Sequence, residues 1–149
     1  MDGPITSEMF RMEFNKVNDG LTASGQITPE DLKVLAEKGF TTLIDNRPDE
    51  EITPDLQSEV MAEAAKAAGL SFVYLPIYPG QFTPELIDET KRVFAQADGP
   101  VFAYCRSGTR STTAWALSQA GELPATEIIE QAAGAGYDLS ALAGYLSGD

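Results

Sequence analysis

The chain has 149 residues, 43% of them apolar, with 10 basic against 23 acidic side chains and a net charge of −13. That length and composition suit one domain with a sizeable core and do not suit a disordered chain. The absence of histidine removes Ser-His-Asp and Cys-His catalysis, histidine-held metals and imidazole proton shuttles, and the acid surplus argues against nucleic acid or an anionic membrane as a partner.

No run approaches the roughly 18 apolar residues of a membrane helix. Met1-Asp2-Gly3-Pro4-Ile5-Thr6-Ser7-Glu8 has neither the basic region nor the apolar stretch of a secretory leader, so a cytoplasmic location is expected. Phe10-Arg11-Met12-Glu13-Phe14 alternates apolar and polar, the pattern of an edge strand. Asn18-Asp19-Gly20 marks a turn, and Leu21–Ser24 is the candidate return strand.

Three helices are expected to open alike, at Thr28-Pro29, Thr53-Pro54 and Thr83-Pro84. Threonine suits the N-cap and proline the first helical position, where its missing N–H costs nothing. Acidic residues in each first turn complement the helix dipole. These helices are expected to run to about Lys38, Ala68 and Ala97, each stopping at a glycine or Asp-Gly. Between them lie the apolar runs Phe40–Ile44, Leu70–Leu75 and Val101–Tyr104. Short strands alternating with helices indicate βα units around a mostly parallel sheet. The last third reads as helical: Thr109–Ala120, Pro124–Ala133, and a final helix through Leu146 capped by Asp138 or Ser140.

Ligands of such sheets sit beyond the C-terminal ends of the strands. Three segments therefore converge on one face: Asp45-Asn46-Arg47-Pro48, Pro76-Ile77-Tyr78-Pro79-Gly80-Gln81, and the loop after Val101–Tyr104. That last loop, Cys105-Arg106-Ser107-Gly108-Thr109-Arg110-Ser111, holds the only cysteine and two of the ten basic residues. Its successive backbone N–H groups and the following helix N-terminus suit an anion. Two guanidinium groups add donors in a fork that fits a tetrahedral oxyanion. A thiol at the base of that cradle is favoured as thiolate, so Cys105 reads as a nucleophile and Arg110 as its clamp, with Arg106, Ser107, Gly108, Thr109 and Ser111 forming the anion-binding loop. Arg47 and Asp49 beyond one strand end, and Tyr78 and Gln81 beyond another, are candidates for the surrounding wall. With one cysteine, any persulfide on Cys105 must be discharged by an outside molecule.

The Cys105–Ser111 loop resembles those of rhodanese sulfurtransferases and of cysteine-dependent phosphatases of the tyrosine-phosphatase kind. Four residues separate Cys105 from Arg110, the rhodanese length. The phosphatase loop is one residue longer and usually has histidine where Tyr104 stands. From about Gly25 to Ala120 the chain resembles the phosphatase-like domain found fused or adjacent to beta-lactamase-like hydrolases, sometimes labelled a sulfur transferase. The residues that carry this are Gly25-Gln26, Ile44-Asp45-Asn46-Arg47-Pro48-Asp49-Glu50 and Tyr104–Ser111. The resemblance implies a tyrosine-phosphatase-like three-layer α/β fold, a central sheet of about four or five mostly parallel strands flanked by helices. It also implies a link to persulfide metabolism, beside a beta-lactamase-like persulfide-oxidising hydrolase.

A phosphatase of this kind uses an aspartate on a loop before the cysteine strand to protonate its leaving group, and Tyr78–Gln81 has no carboxylate. Asp49, Glu50 or Glu51 would substitute only if their loop folds inward. Sulfur transfer needs no such acid. The favoured expectation is a sulfurtransferase that takes sulfur from thiosulfate or a small persulfide onto Cys105 and passes it to a thiol acceptor, with no metal or other cofactor. The alternative is a phosphatase using Cys105 as a phosphocysteine nucleophile. The third is a non-catalytic anion-binding or redox-sensing module.

Overall fold

The computed structural model describes residues 11–148. Five short strands form one sheet: β1 (Asn15–Asn18), β2 (Leu21–Ser24), β3 (Thr42–Asp45), β4 (Ser71–Tyr74) and β5 (Val101–Tyr104). Their order is β1-β2-β5-β3-β4, antiparallel between β1 and β2 and parallel elsewhere. The helices are α1 (Asp31–Glu37), α2 (Ser58–Ala68), α3 (Pro84–Gln96), α4 (Thr109–Ser118), α5 (Ala125–Gly134) and α6 (Ala143–Leu146). Among the described residues no helix is long and apolar enough to cross a membrane.

The sheet divides two cores. On one face Leu43, Phe102 and Tyr104 pack with Leu32 and Leu35 of α1 and Met61 and Ala65 of α2. On the other, Ala23, Ile44, Val101 and Ala103 pack with Trp115 and Ala116 of α4 and Ile128 and Ala132 of α5. Alternate residues of one strand thus serve opposite layers, as the period of a strand requires. All four residues of β5, the middle strand, are buried, which explains its unbroken apolar sequence.

The expected strand at residues 10–14 is displaced. Phe10 lies outside the described residues, residues 11–14 are not strand, and the edge strand is β1, at Asn15–Asn18. The Glu13 N–H donates to the Ser24 side chain, so a hydroxyl competes with the ladder here. The Phe14 ring meets the ring of Phe102 edge-on instead of following a strand's alternation. The three Thr-Pro openings also diverge. Thr83 caps α3 as expected, accepting from the Leu86 N–H. Thr28 instead donates to the Asp31 carboxylate, and α1 begins at Asp31. Thr53-Pro54 starts only a 3₁₀ turn, Pro54–Leu56; the chain extends at Gln57 and α2 starts at Ser58. The reason is tertiary: the Asp49 carboxylate accepts from both the N–H and the hydroxyl of Ser58. It thereby supplies the cap from outside the helix.

The fold depends on the layer of α4 over the sheet, and Trp115 is its largest buried side chain, 2% exposed. Trp115→Ala is expected to cost about 4 kcal/mol and to lower the melting temperature by roughly 10 °C, readable by calorimetry or circular dichroism.

Candidate active site

The strand ends β3, β4 and β5 bring the three expected segments together. Asn46 joins them: its N–H donates to the Tyr104 carbonyl, its side-chain amide to the Leu75 carbonyl, and its own carbonyl accepts from the Ile77 N–H. Cys105 follows β5 directly and is fully buried. Its N–H donates to the Ser24 carbonyl at the end of β2. Its Sγ accepts from the Gly108 N–H at 3.1 Å. Gly108 has φ of 93°, the left-handed region that glycine enters without steric cost, and it precedes α4. The N–H groups of Thr109, Arg110 and Ser111 form the first turn of α4, where position leaves them no intrahelical acceptor. A sulfur and a set of amides thus share one short loop.

Arg110 lies across this loop. Its guanidinium makes a bidentate pair with Glu51, at 3.0 and 2.8 Å, and donates to the Ile77 carbonyl at 2.5 Å. Arg47 donates to the Gln26 side-chain oxygen and the Glu51 carbonyl, and its Nε lies 3.7 Å from the Glu51 carboxylate without hydrogen-bond geometry. The hydrogen bond from Arg110 holds Glu51 below the usual glutamate range, with both neighbouring arginines adding to that. Burial pulls Arg47 down, opposed by Glu51 and reinforced by Arg106 and Arg110. Arg106 is exposed, with no hydrogen bond or ion pair among the described residues, yet its charge is felt at Glu51.

The remaining candidates separate by what they touch. Asp49 spends its carboxylate on α2, and its N–H donates to the Tyr74 hydroxyl. The Tyr78 hydroxyl donates to Glu50 at 2.8 Å, tying the β4 loop to the β3 loop at the surface. Gln81 is exposed, and only its backbone is engaged, with Tyr78. Ser107 and Thr109 are exposed and bond each other through their hydroxyls. The Ser111 hydroxyl is buried without a hydrogen-bond partner among the described residues.

Three contributors did not stand out in the sequence. Glu51 was one of three neighbouring acids, and only the folded turn singles it out. Gln26 was marked as a motif residue without a role. Tyr137 lies 30 residues from the loop it touches, donating to the Ser107 carbonyl. Gly25, marked with Gln26, is explained: a Cβ there would stand 2.9 Å from the Arg106 carbonyl.

Beneath the loop, Asp45 pairs in register with Tyr104. Both are buried, and they interact electrostatically without reaching hydrogen-bond geometry at the Tyr104 hydroxyl. Burial pushes Asp45 up to about 7, against the N–H of Arg47 that stabilises its charge.

Comparison with known proteins bears on this geometry. A family model described as the phosphatase-like domain of beta-lactamase hydrolase-like protein matches residues 13–122. A beta-lactamase hydrolase-like protein of Agrobacterium fabrum is 32% identical over 137 residues, covering 91% of this chain and 32% of the relative. The chain therefore spans about a third of that relative's length. Among solved structures, a Neisseria meningitidis protein described as a candidate phosphatase superposes with a TM-score of 0.78 at 31% identity, covering 93% of this chain and 99% of that one. PTPMT1, at 14% identity, superposes with a TM-score of 0.69 over 89% of this chain and 92% of its own. The fold is that of the tyrosine phosphatases.

Asp45 gives a pH dependence with a definite sign. Its folded-state value lies above its unfolded one, so the native state binds the extra proton between about 4 and 7. Stability contributed by that proton is lost as pH rises through this window, by up to a few kcal/mol. Asp45→Asn, which keeps the shape, is expected to flatten the fall in urea-unfolding stability between pH 5 and pH 8.

Proposed function

The chain belongs to the phosphatase-like domain family of the beta-lactamase hydrolase-like proteins, and from that premise we propose a cysteine-dependent hydrolase of phosphate monoesters whose leaving groups depart without protonation. Cys105 is the nucleophile. Its sulfur attacks phosphorus, the ester P–O bond breaks, and water then cleaves the S–P bond to release phosphate and restore the thiolate. Arg110 and the N–H groups at the start of α4 hold the oxyanion, the role such donors fill when charge develops at a reacting centre. Arg106 adds positive charge at the rim. The tyrosine-phosphatase fold, with Cys105 in the loop between a central strand and a helix, supports this reading.

One observation sets the leaving-group limit: the carboxylates of the β3 loop are committed. Asp49 caps α2, Glu51 is kept ionised by Arg110, and Glu50 accepts from the Tyr78 hydroxyl at the surface. A general acid typically contributes 10²–10⁴-fold. Without one, only phenol-like leaving groups depart readily.

The same observation favours a second reading, sulfur transfer, and the four-residue spacing from Cys105 to Arg110 adds to it. There the thiolate attacks the outer sulfur of thiosulfate, the S–S bond breaks and sulfite leaves as a stable anion. An external thiolate then attacks the outer persulfide sulfur, forming its own persulfide and restoring the Cys105 thiolate. Under this reading the partner that consumes the product is a beta-lactamase-like persulfide-oxidising hydrolase, and the name of the relatives of which this chain spans about a third suits that pairing.

The two readings part in a single pair of assays. For phosphate hydrolysis, kcat/KM on a series of aryl and alkyl phosphates is expected to fall steeply with leaving-group basicity, and Cys105→Ser to abolish turnover. A flat dependence overturns the leaving-group limit. Intact-protein mass spectrometry after thiosulfate treatment tests the other: a gain of one sulfur atom, absent in Cys105→Ser and removed by a thiol, with no Cys105-dependent phosphate turnover, replaces the first reading by the second.

A further inference from the structure

We propose that Tyr137 is a positioning residue for the reactive loop, fixing the Ser107–Gly108 peptide so that its N–H faces Cys105. This deepens the reading of Cys105 as nucleophile and rests on it, but holds for phosphoryl and sulfur transfer alike.

The argument is one of peptide geometry. In a trans peptide the C=O and N–H point in opposite directions. No cis peptide occurs among the described residues. The Ser107 carbonyl accepts from the Tyr137 hydroxyl at 3.1 Å, while the Gly108 N–H of the same peptide points at Cys105 Sγ. Tyr137 thus holds the outer end of a plane whose inner end meets the sulfur. The peptide's other partner is the sulfur itself, and because Gly108 tolerates φ of either sign a rotation of this peptide is sterically cheap at glycine. Such a rotation would turn a carbonyl oxygen toward the sulfur and repel both a thiolate and an incoming anion.

Tyr137 is equipped for the task. Its backbone is pinned at the end of α5, where its N–H donates to the Ala132 carbonyl. Its ring is buried in the core beside α4 and α5. Its hydroxyl accepts from the Asn15 side chain at 2.9 Å, which leaves its single proton for Ser107. The fit is close: a Cβ on Gly108 would collide with the Tyr137 hydroxyl oxygen. Glycine is therefore required twice over, for its φ and for this approach.

The test is the pH profile of Cys105 alkylation by iodoacetamide, which needs no substrate, alongside kcat and KM on an aryl phosphate and on thiosulfate. With Tyr137→Phe, alkylation at pH 6.5 is expected to fall about three- to tenfold, the worth of one hydrogen bond, while the rates converge with wild type at pH 10. In a Cys105→Ser background the same change is expected to weaken sulfate binding by a similar factor in calorimetry. Superimposable alkylation profiles and equal sulfate affinity, with only a lower melting temperature, would show a core residue and overturn the proposal. Asn15→Leu, which leaves the hydroxyl without its donor, is expected to act in the same direction by about twofold and to add nothing in the Tyr137→Phe background. If Tyr137→Phe does not fold, an unchanged profile in Asn15→Leu overturns the proposal by itself. Loss of one catalytic activity with the alkylation shift intact would count against that reaction and leave the clamp standing.

Discussion

Arg47, Arg106 and Arg110 place three like charges within reach of one another, and Glu51 is what makes the gathering possible. Its carboxylate takes Arg110 in a bidentate pair and stands beside Arg47, while its backbone carbonyl accepts from Arg47. Fork-to-fork pairing of this kind fixes direction as well as charge. Removing one member of a part-buried pair leaves an uncompensated charge, which costs more than the pair itself contributes. Through Glu51 the β3 loop and the loop containing Cys105 are held in one geometry. The Ile77 carbonyl brings in the β4 loop through the same Arg110.

This cationic cluster sits in a chain with a net charge of −13. A local group of cations on an otherwise acidic chain draws small anions to itself while the remaining surface repels them. The composition that argues against nucleic acid therefore does not argue against small anions. Three carboxylates of β3 and the turn after it serve structure: one caps a helix, one orients arginines, and one, Asp45, lies buried in register with Tyr104.

The loop geometry is likewise imposed from outside. Cys105 is anchored by β2 through Ser24, and Gly25 gives the Arg106 backbone room to pass. Ser107 is held by Tyr137. Short loops of low sequence complexity gain a fixed shape when each peptide has a partner on a rigid element, and here those elements are a strand end and a helix end.

The alternation of strands and helices, the mostly parallel sheet and the position of the cysteine loop at a strand's C-terminal end were legible in the chain. They follow from local causes: apolar runs of strand length, glycine and Thr-Pro punctuation, and the lone cysteine with two arginines beside it. Those same local causes misplaced the edge strand and the start of α2, where Ser24 and Asp49 reach in from other segments. Nor did they separate Asp49, Glu50 and Glu51, three consecutive acids with the same local chemistry but different folded roles. Tyr137 carried no local sign at all, because its role exists only where the end of α5 meets the loop after β5. Backbone periodicity and turn chemistry act over a few residues, so the sequence by itself determined the type and order of most elements and the place of the cysteine loop. Side-chain partners are chosen by distance in space, so only the tertiary structure decided which acid orients Arg110 and which hydroxyl holds Ser107.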